Sequence, residues 1–190
     1  MFALSETKNN HAMEEKPRSV AMNSLWFGVA TGAVLILYSL ILFLAGLHTS
    51  KSLGYFGYLI LIIGMIWGTV DYRTKALGGF MTYGKAFGSC FMIGLYSGII
   101  SAVYIFVFAK FIHPGFIQEM MDISRQSIMD SNPNMSEEQM EQALSFAGKF
   151  MSPPMMAMWA FLGYLFASAI LGLIVSIFLK KEDKSAAPQV

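Results

Sequence analysis

Charge deserts the chain four times. No Asp, Glu, Lys or Arg occurs from Leu25 to Leu47, from Leu53 to Val70, from Ala86 to Ala109 or from Met155 to Leu179, and charges crowd into the segments between. Apolar runs of about 18 residues or more are long enough, as helices, to cross a hydrocarbon core of about 30 Å. The pattern predicts an all-α polytopic membrane protein with four transmembrane helices, at about 25–47, 53–72, 85–110 and 155–179. The second run is the shortest, so Tyr72 and Arg73 are expected to carry its helix into the headgroup layer.

The connections are equally legible. His48 to Ser52 is a tight polar link, so the first two spans form a hairpin. Between the second and third spans, Asp71 to Lys85 reads as the hinge of the chain, with Gly78-Gly79 breaking the helix and Thr82 placed to cap the next one. Lys110 closes the third span. Pro153-Pro154 suits the first turn of the fourth, which stops at Lys180-Lys181. The first run is longer than the roughly 7–15 residues of a cleavable signal segment and reads as a retained span. Residues 24–182 are thus expected to form one membrane domain, with flexible tails at 1–23 and 183–190, the first of them cytoplasmic.

One substantial piece lies outside the spans, residues 113–153. Ile117, Met120, Met121 and Ile128 share a helical face. After Asn132-Pro133-Asn134, Ser136 and Gln139 have the spacing of a capping box. Met140, Ala143, Leu144, Ala147 and Met151 then line a second face, with Glu137, Glu138, Glu141 and Lys149 off it. The prediction is an amphipathic helical hairpin between the third and fourth spans. Its six acids and two bases disfavour docking on anionic headgroups and favour mutual packing or a protein partner, for which Glu137, Glu138 and Glu141 are the candidate binding residues.

Composition narrows the classes. A mean hydropathy of +0.54 and 13% charged residues, against about 25% in soluble domains, agree with membrane residence. A net charge of +1 with no basic patch argues against nucleic acid. The lone cysteine, Cys90, lies inside a span and forms no redox or metal pair. Lys and Arg number nine on the side of the two tails and the hinge, and four on the other. That split places both termini in the cytoplasm.

The run Tyr72-Arg73-Thr74-Lys75-Ala76-Leu77-Gly78-Gly79-Phe80-Met81-Thr82-Tyr83-Gly84-Lys85 resembles the central signature of domain of unknown function 4199. This is a family of small four-span bacterial membrane proteins seen mainly in Bacteroidetes. The order of segments over about residues 20–182 is similar too, including a charged insertion that begins His113-Pro114-Gly115-Phe116. Family members often carry an acid where this chain has Thr74-Lys75. The resemblance implies the four-span fold and a bacterial inner-membrane location, and brings no activity with it. It marks Tyr72, Arg73, Lys75, Gly78, Gly79, Tyr83, Gly84 and Lys85 as a candidate signature loop.

The cores of the spans contain no ionisable group of the kind that proton- or ion-coupled transport leaves inside a membrane. They offer small residues four apart instead: Gly28 and Gly32, Gly64 and Gly68, Gly84 and Gly88, Gly94 and Gly98, and Ser168, Gly172 and Ser176. Such spacing reads first as close helix packing, and otherwise as a groove lined with hydroxyls. His48 and His113 fall at the same ends of spans, but without a Cys or a defined carboxylate spacing they make a weak metal pair. No catalytic or cofactor motif is present, so no catalytic, cofactor-binding or metal residue is expected. Function therefore reads as a structural or accessory membrane component acting through its insertion. The alternative is a small homo-oligomeric channel or transporter, and an enzyme is the weakest reading.

Overall fold

The structure, a computed structural model, describes residues 19–182. Its helices are α1 (Val20–Leu44), the single turn α2 (Lys51–Gly54), α3 (Phe56–Ala76), α4 (Tyr83–Val107), α5 (Phe116–Ser131), α6 (Glu137–Phe150) and α7 (Pro153–Leu179). A π-helical turn, Phe108–Ile112, prolongs α4. Four stretches are long and apolar enough to cross a membrane: Val20–Leu44, Ser52–Ala76, Tyr83–Ile112 and Pro153–Leu179. Together they make the chain an all-α polytopic membrane protein, with α5 and α6 as the hairpin between its third and fourth spans. The expected tails fall largely outside the described residues.

Each helix runs beyond its uncharged core, for local reasons. Residues 20–23, expected in the tail, form the first turn of α1, because the Ser19 hydroxyl accepts from the Met22 amide at 3.3 Å. Tyr72 and Arg73 continue the helix as expected, and α3 runs on through Lys75, which reads as hinge. Lys75 pairs with Asp71 one turn back at 2.5 Å, and two basic residues face the carbonyl end of α3. The connection shrinks to Leu77–Thr82. Thr82 does take the N-cap position of α4, but its side chain makes no capping bond there. Lys110 does not end the third span, which the π-turn carries on to Ile112.

Packing inverts the rule of soluble proteins. The large apolar residues Trp26, Leu37, Ile41, Ile63, Trp67, Phe166 and Phe178 point outward, and Ser24, Thr69, Ser89, Ser97, Ser168 and Ser176 are buried between helices. Lipid tails already satisfy apolar side chains, so helices associate through close backbone approach and interhelical hydrogen bonds. The hub is α4, which packs most extensively on α7, then on α1, and also touches α3. Small residues permit this: a Cβ on Gly28 would come 2.5 Å from the Tyr96 Cβ, and one on Gly94 would collide with Ser168. Around them lies a core of Leu61, Met65, Tyr72, Met81, Ala86, Cys90, Ile93, Val175 and Leu179. Gly84 and Gly88 take no part, having no neighbour within 4 Å of an added Cβ.

Candidate functional site

Most of the signature residues meet at the end of the bundle that carries Ser19 and Glu182. Arg73 donates from Nη1 to the Leu179 carbonyl at 3.0 Å, satisfying one of the acceptors that the end of α7 leaves open. Met81 and Lys181 exchange backbone hydrogen bonds of 2.7 and 2.8 Å as an antiparallel bridge, and Tyr83 donates to the Leu173 carbonyl at 3.2 Å. The chain reaches these partners by a sharp reversal in which Gly78 and Gly79 have φ of +63° and +93°, values that L side chains resist. Gly79 N–H closes the turn on the Arg73 carbonyl at 2.9 Å. Tyr72 is buried in the core, and Lys75, Gly84 and Lys85 stay exposed. The signature is thus a clamp that fastens the α3–α4 turn to the end of α7.

A pore would need the buried hydroxyls to converge, and they disperse instead. Ser97 donates to the Gly28 carbonyl at 3.0 Å, joining α4 to α1, and Ser24 donates to the Ser89 carbonyl at 3.4 Å. Thr69 bonds Ser89 at 3.1 Å, joining α3 to α4. Tyr104 donates to Ser39 at 3.2 Å and Tyr38 to the Leu53 carbonyl at 2.7 Å. Ser168 and Ser176 each bond back within α7, to Tyr164 and Gly172. Each of these hydroxyls is spent on a helix contact or on its own helix, whereas the buried Ser101 hydroxyl of α4 has no hydrogen-bond partner.

At the opposite end the hairpin folds as its periodicity demands. The capping box is complete, with the Gln139 amide donating to the Ser136 hydroxyl at 3.3 Å and the Ser136 amide donating to the Gln139 side chain at 3.2 Å. The helices α5 and α6 pack on each other, Met140 is buried, and Ala143, Leu144, Ala147 and Met151 are half-buried. Glu137, Glu138 and Glu141 are exposed. Between the hairpin and the ends of α4 and α7 lies an apolar cleft of about 460 Å³, walled by Phe116, Met120, Phe150, Met156 and Trp159 among others.

A second arrangement at this end escaped sequence reasoning. His48, in the link after α1, and His113, beyond the π-turn, both lie against Glu119 in the first turn of α5. Their Nε2 atoms are 2.9 and 3.3 Å from the same oxygen, Oε2 of Glu119. The hydrogen bond from His48 chiefly holds the Glu119 carboxyl below the usual carboxylate range; burial opposes it, and the bond from His113 adds to it. Phe43 packs edge-on against His48 and Phe108, with ring centroids 5.3 and 5.0 Å apart. The pair of histidines was visible in the sequence, but Glu119 lies 71 residues from His48, and no local spacing reports a pairing of that range.

Four apolar spans, a clamp at one end and a helical hairpin at the other define a class of small four-helix membrane protein. Residues 26–181 match the family model described as "Protein of unknown function (DUF4199)", and the chain belongs to that family. No curated protein and no solved structure matches it.

Proposed function

We propose that this protein is a structural or accessory component of the bacterial inner membrane, with both termini cytoplasmic, that works through its extracytoplasmic hairpin. The observation that carries the reading is how the hairpin spends its surfaces. The apolar faces of α5 and α6 are turned on each other and on the cleft above the ends of α4 and α7, and the polar side of the hairpin carries the exposed acidic row Glu137, Glu138 and Glu141 on a segment with six acids and two bases. Such a surface is repelled by anionic lipid and complements a basic partner domain. The dispersal of hydroxyls among helix contacts weighs for this reading and against a channel or transporter, which needs polar groups facing a shared path.

The test is affinity purification from native membranes of wild-type protein and of a Glu137→Lys, Glu138→Lys, Glu141→Lys variant. Under the proposal a defined protein co-purifies with the wild type, carries a basic domain on the same side of the membrane, and is lost from the variant. Recovery of the same proteins with both forms, or of none with the wild type, removes the accessory role.

A further inference from the structure

We propose that His48, His113 and Glu119 form a binding site for a divalent transition-metal ion of the zinc type, with a fourth position left to water or an exchangeable ligand. The reading stands on its own and does not require the hairpin to dock a partner.

The donor set selects the ion. Two imidazoles and a carboxylate suit borderline ions such as Zn2+, whereas Ca2+ and Mg2+ take shells of oxygen. The spacing comes near what such an ion needs. Donors at about 2.0–2.2 Å from a tetrahedral ion lie about 3.3–3.6 Å from one another. The two Nε2 atoms stand 2.9 and 3.3 Å from Oε2 of Glu119, and one donor atom from each residue can be chosen so that all three lie within 4.8 Å of one another. Both imidazoles converge on one carboxylate oxygen, and Nδ1 of His48 is buried without a hydrogen-bond partner.

The surroundings are asymmetric in the way an exchangeable site needs. On one side Phe43, Phe108 and Phe116 form an apolar wall; the Phe43 ring lies 5.3 Å from that of His48 and 5.2 Å from that of His113. Such a wall keeps water from competing for the ion and strengthens its attraction to the carboxylate. The other side is open, because the His113 and Glu119 side chains keep 32% and 34% of their exposure, against 17% for His48. Three protein ligands with one open position mark sites that exchange a ligand, in contrast to the four protein ligands of closed structural zinc. The three ligands also come from separate segments, so a bound ion fastens α5 to the link after α1.

Untagged full-length protein in detergent, titrated with Zn2+ against a chromophoric chelator and with Co2+ followed by visible absorption, tests the site. A single ion per chain is expected, with a tetrahedral Co2+ spectrum. His48→Gln, His113→Gln and Glu119→Gln should each weaken affinity about tenfold or more, at least the loss seen when mere supporting groups are removed. Equal binding by wild type and the three variants overturns the site, as does a Co2+ spectrum of octahedral type. If the variants fail to fold, wild-type protein alone decides: its unfolding midpoint must rise with Zn2+ and fall back with chelator, and an unchanged midpoint overturns the proposal.

Discussion

Arg73 and Leu179, 106 residues apart, are joined by a 3.0 Å hydrogen bond from a guanidinium to the last carbonyl of α7. A charge-assisted bond to a helix end of this kind contributes about 1.5–3 kcal/mol. Arg73→Ala should therefore destabilise the protein by about that amount, read as a lower unfolding midpoint in detergent. Arg73→Lys should lose part of it, since an ammonium reaches the carbonyl with less directed geometry. An unchanged midpoint in Arg73→Ala would show that the clamp rests on the Met81–Lys181 bridge and the Tyr83–Leu173 bond.

The reversal that brings Met81 to Lys181 turns on positive φ at Gly78 and Gly79. Neither glycine has a neighbour within 4 Å of an added Cβ, so the cost of a side chain there is conformational and not steric. Gly79→Val is expected to cost about 1–2 kcal/mol or more. Gly84→Val, equally open but in the first turn of α4, should be close to neutral. Equal loss of folded yield in both would refute the role of φ.

Gly94 tests the α4–α7 seam. A methyl group at this position meets Ser168, so Gly94→Ala should destabilise by about 1–3 kcal/mol, the usual range for overpacking. Adding Ser168→Gly removes the obstructing side chain and should recover much of the loss. Gly88→Ala, which meets nothing within 4 Å, is the control. Failure of the second substitution to rescue would place the strain elsewhere.

For the hairpin, Met140→Asp with Leu144→Asp puts charge into the face of α6 that packs on α5. Removing the Met140 side chain alone is worth about 2–5 kcal/mol where it is buried, enough to open a two-helix element. Protease should then cut within residues 116–150 while all four spans remain inserted. Resistance equal to that of wild type would show that the hairpin is held from outside itself.

Sidedness is checked by reporter fusions after Val190 and within residues 132–134. The Lys and Arg split of nine to four predicts that a reporter active only in the cytoplasm works at the first position and is silent at the second. The reverse result turns the protein over in the membrane.

Which features could be read from the sequence follows from the range of the interactions that make them. Local ones were plain: uncharged runs long enough to span, the Ser136–Gln139 box, the Gly78-Gly79 turn. Helix ends were misplaced where an interaction one turn away overrode composition, as when Asp71 and Lys75 sustain α3 through a stretch that reads as hinge. Pairings between distant segments could not be read. The partner of Arg73 is a backbone carbonyl and leaves no trace in residue type, and Glu119 is one of six acids in its segment until folding sets it beside His48 and His113. The small residues announced helix packing, but only the structure separates Gly94, pressed against α7, from Gly88, which faces open space.

The dominance of the α4–α7 contact has a consequence for biogenesis. The face of α4 that holds Gly94 and Gly98 is completed by α7, which is made only after the whole hairpin. A nascent chain of three spans therefore carries a bare, backbone-exposing groove in the bilayer. Until α7 fills it, the groove keeps backbone and small residues against lipid, and a truncation within α7 leaves it bare.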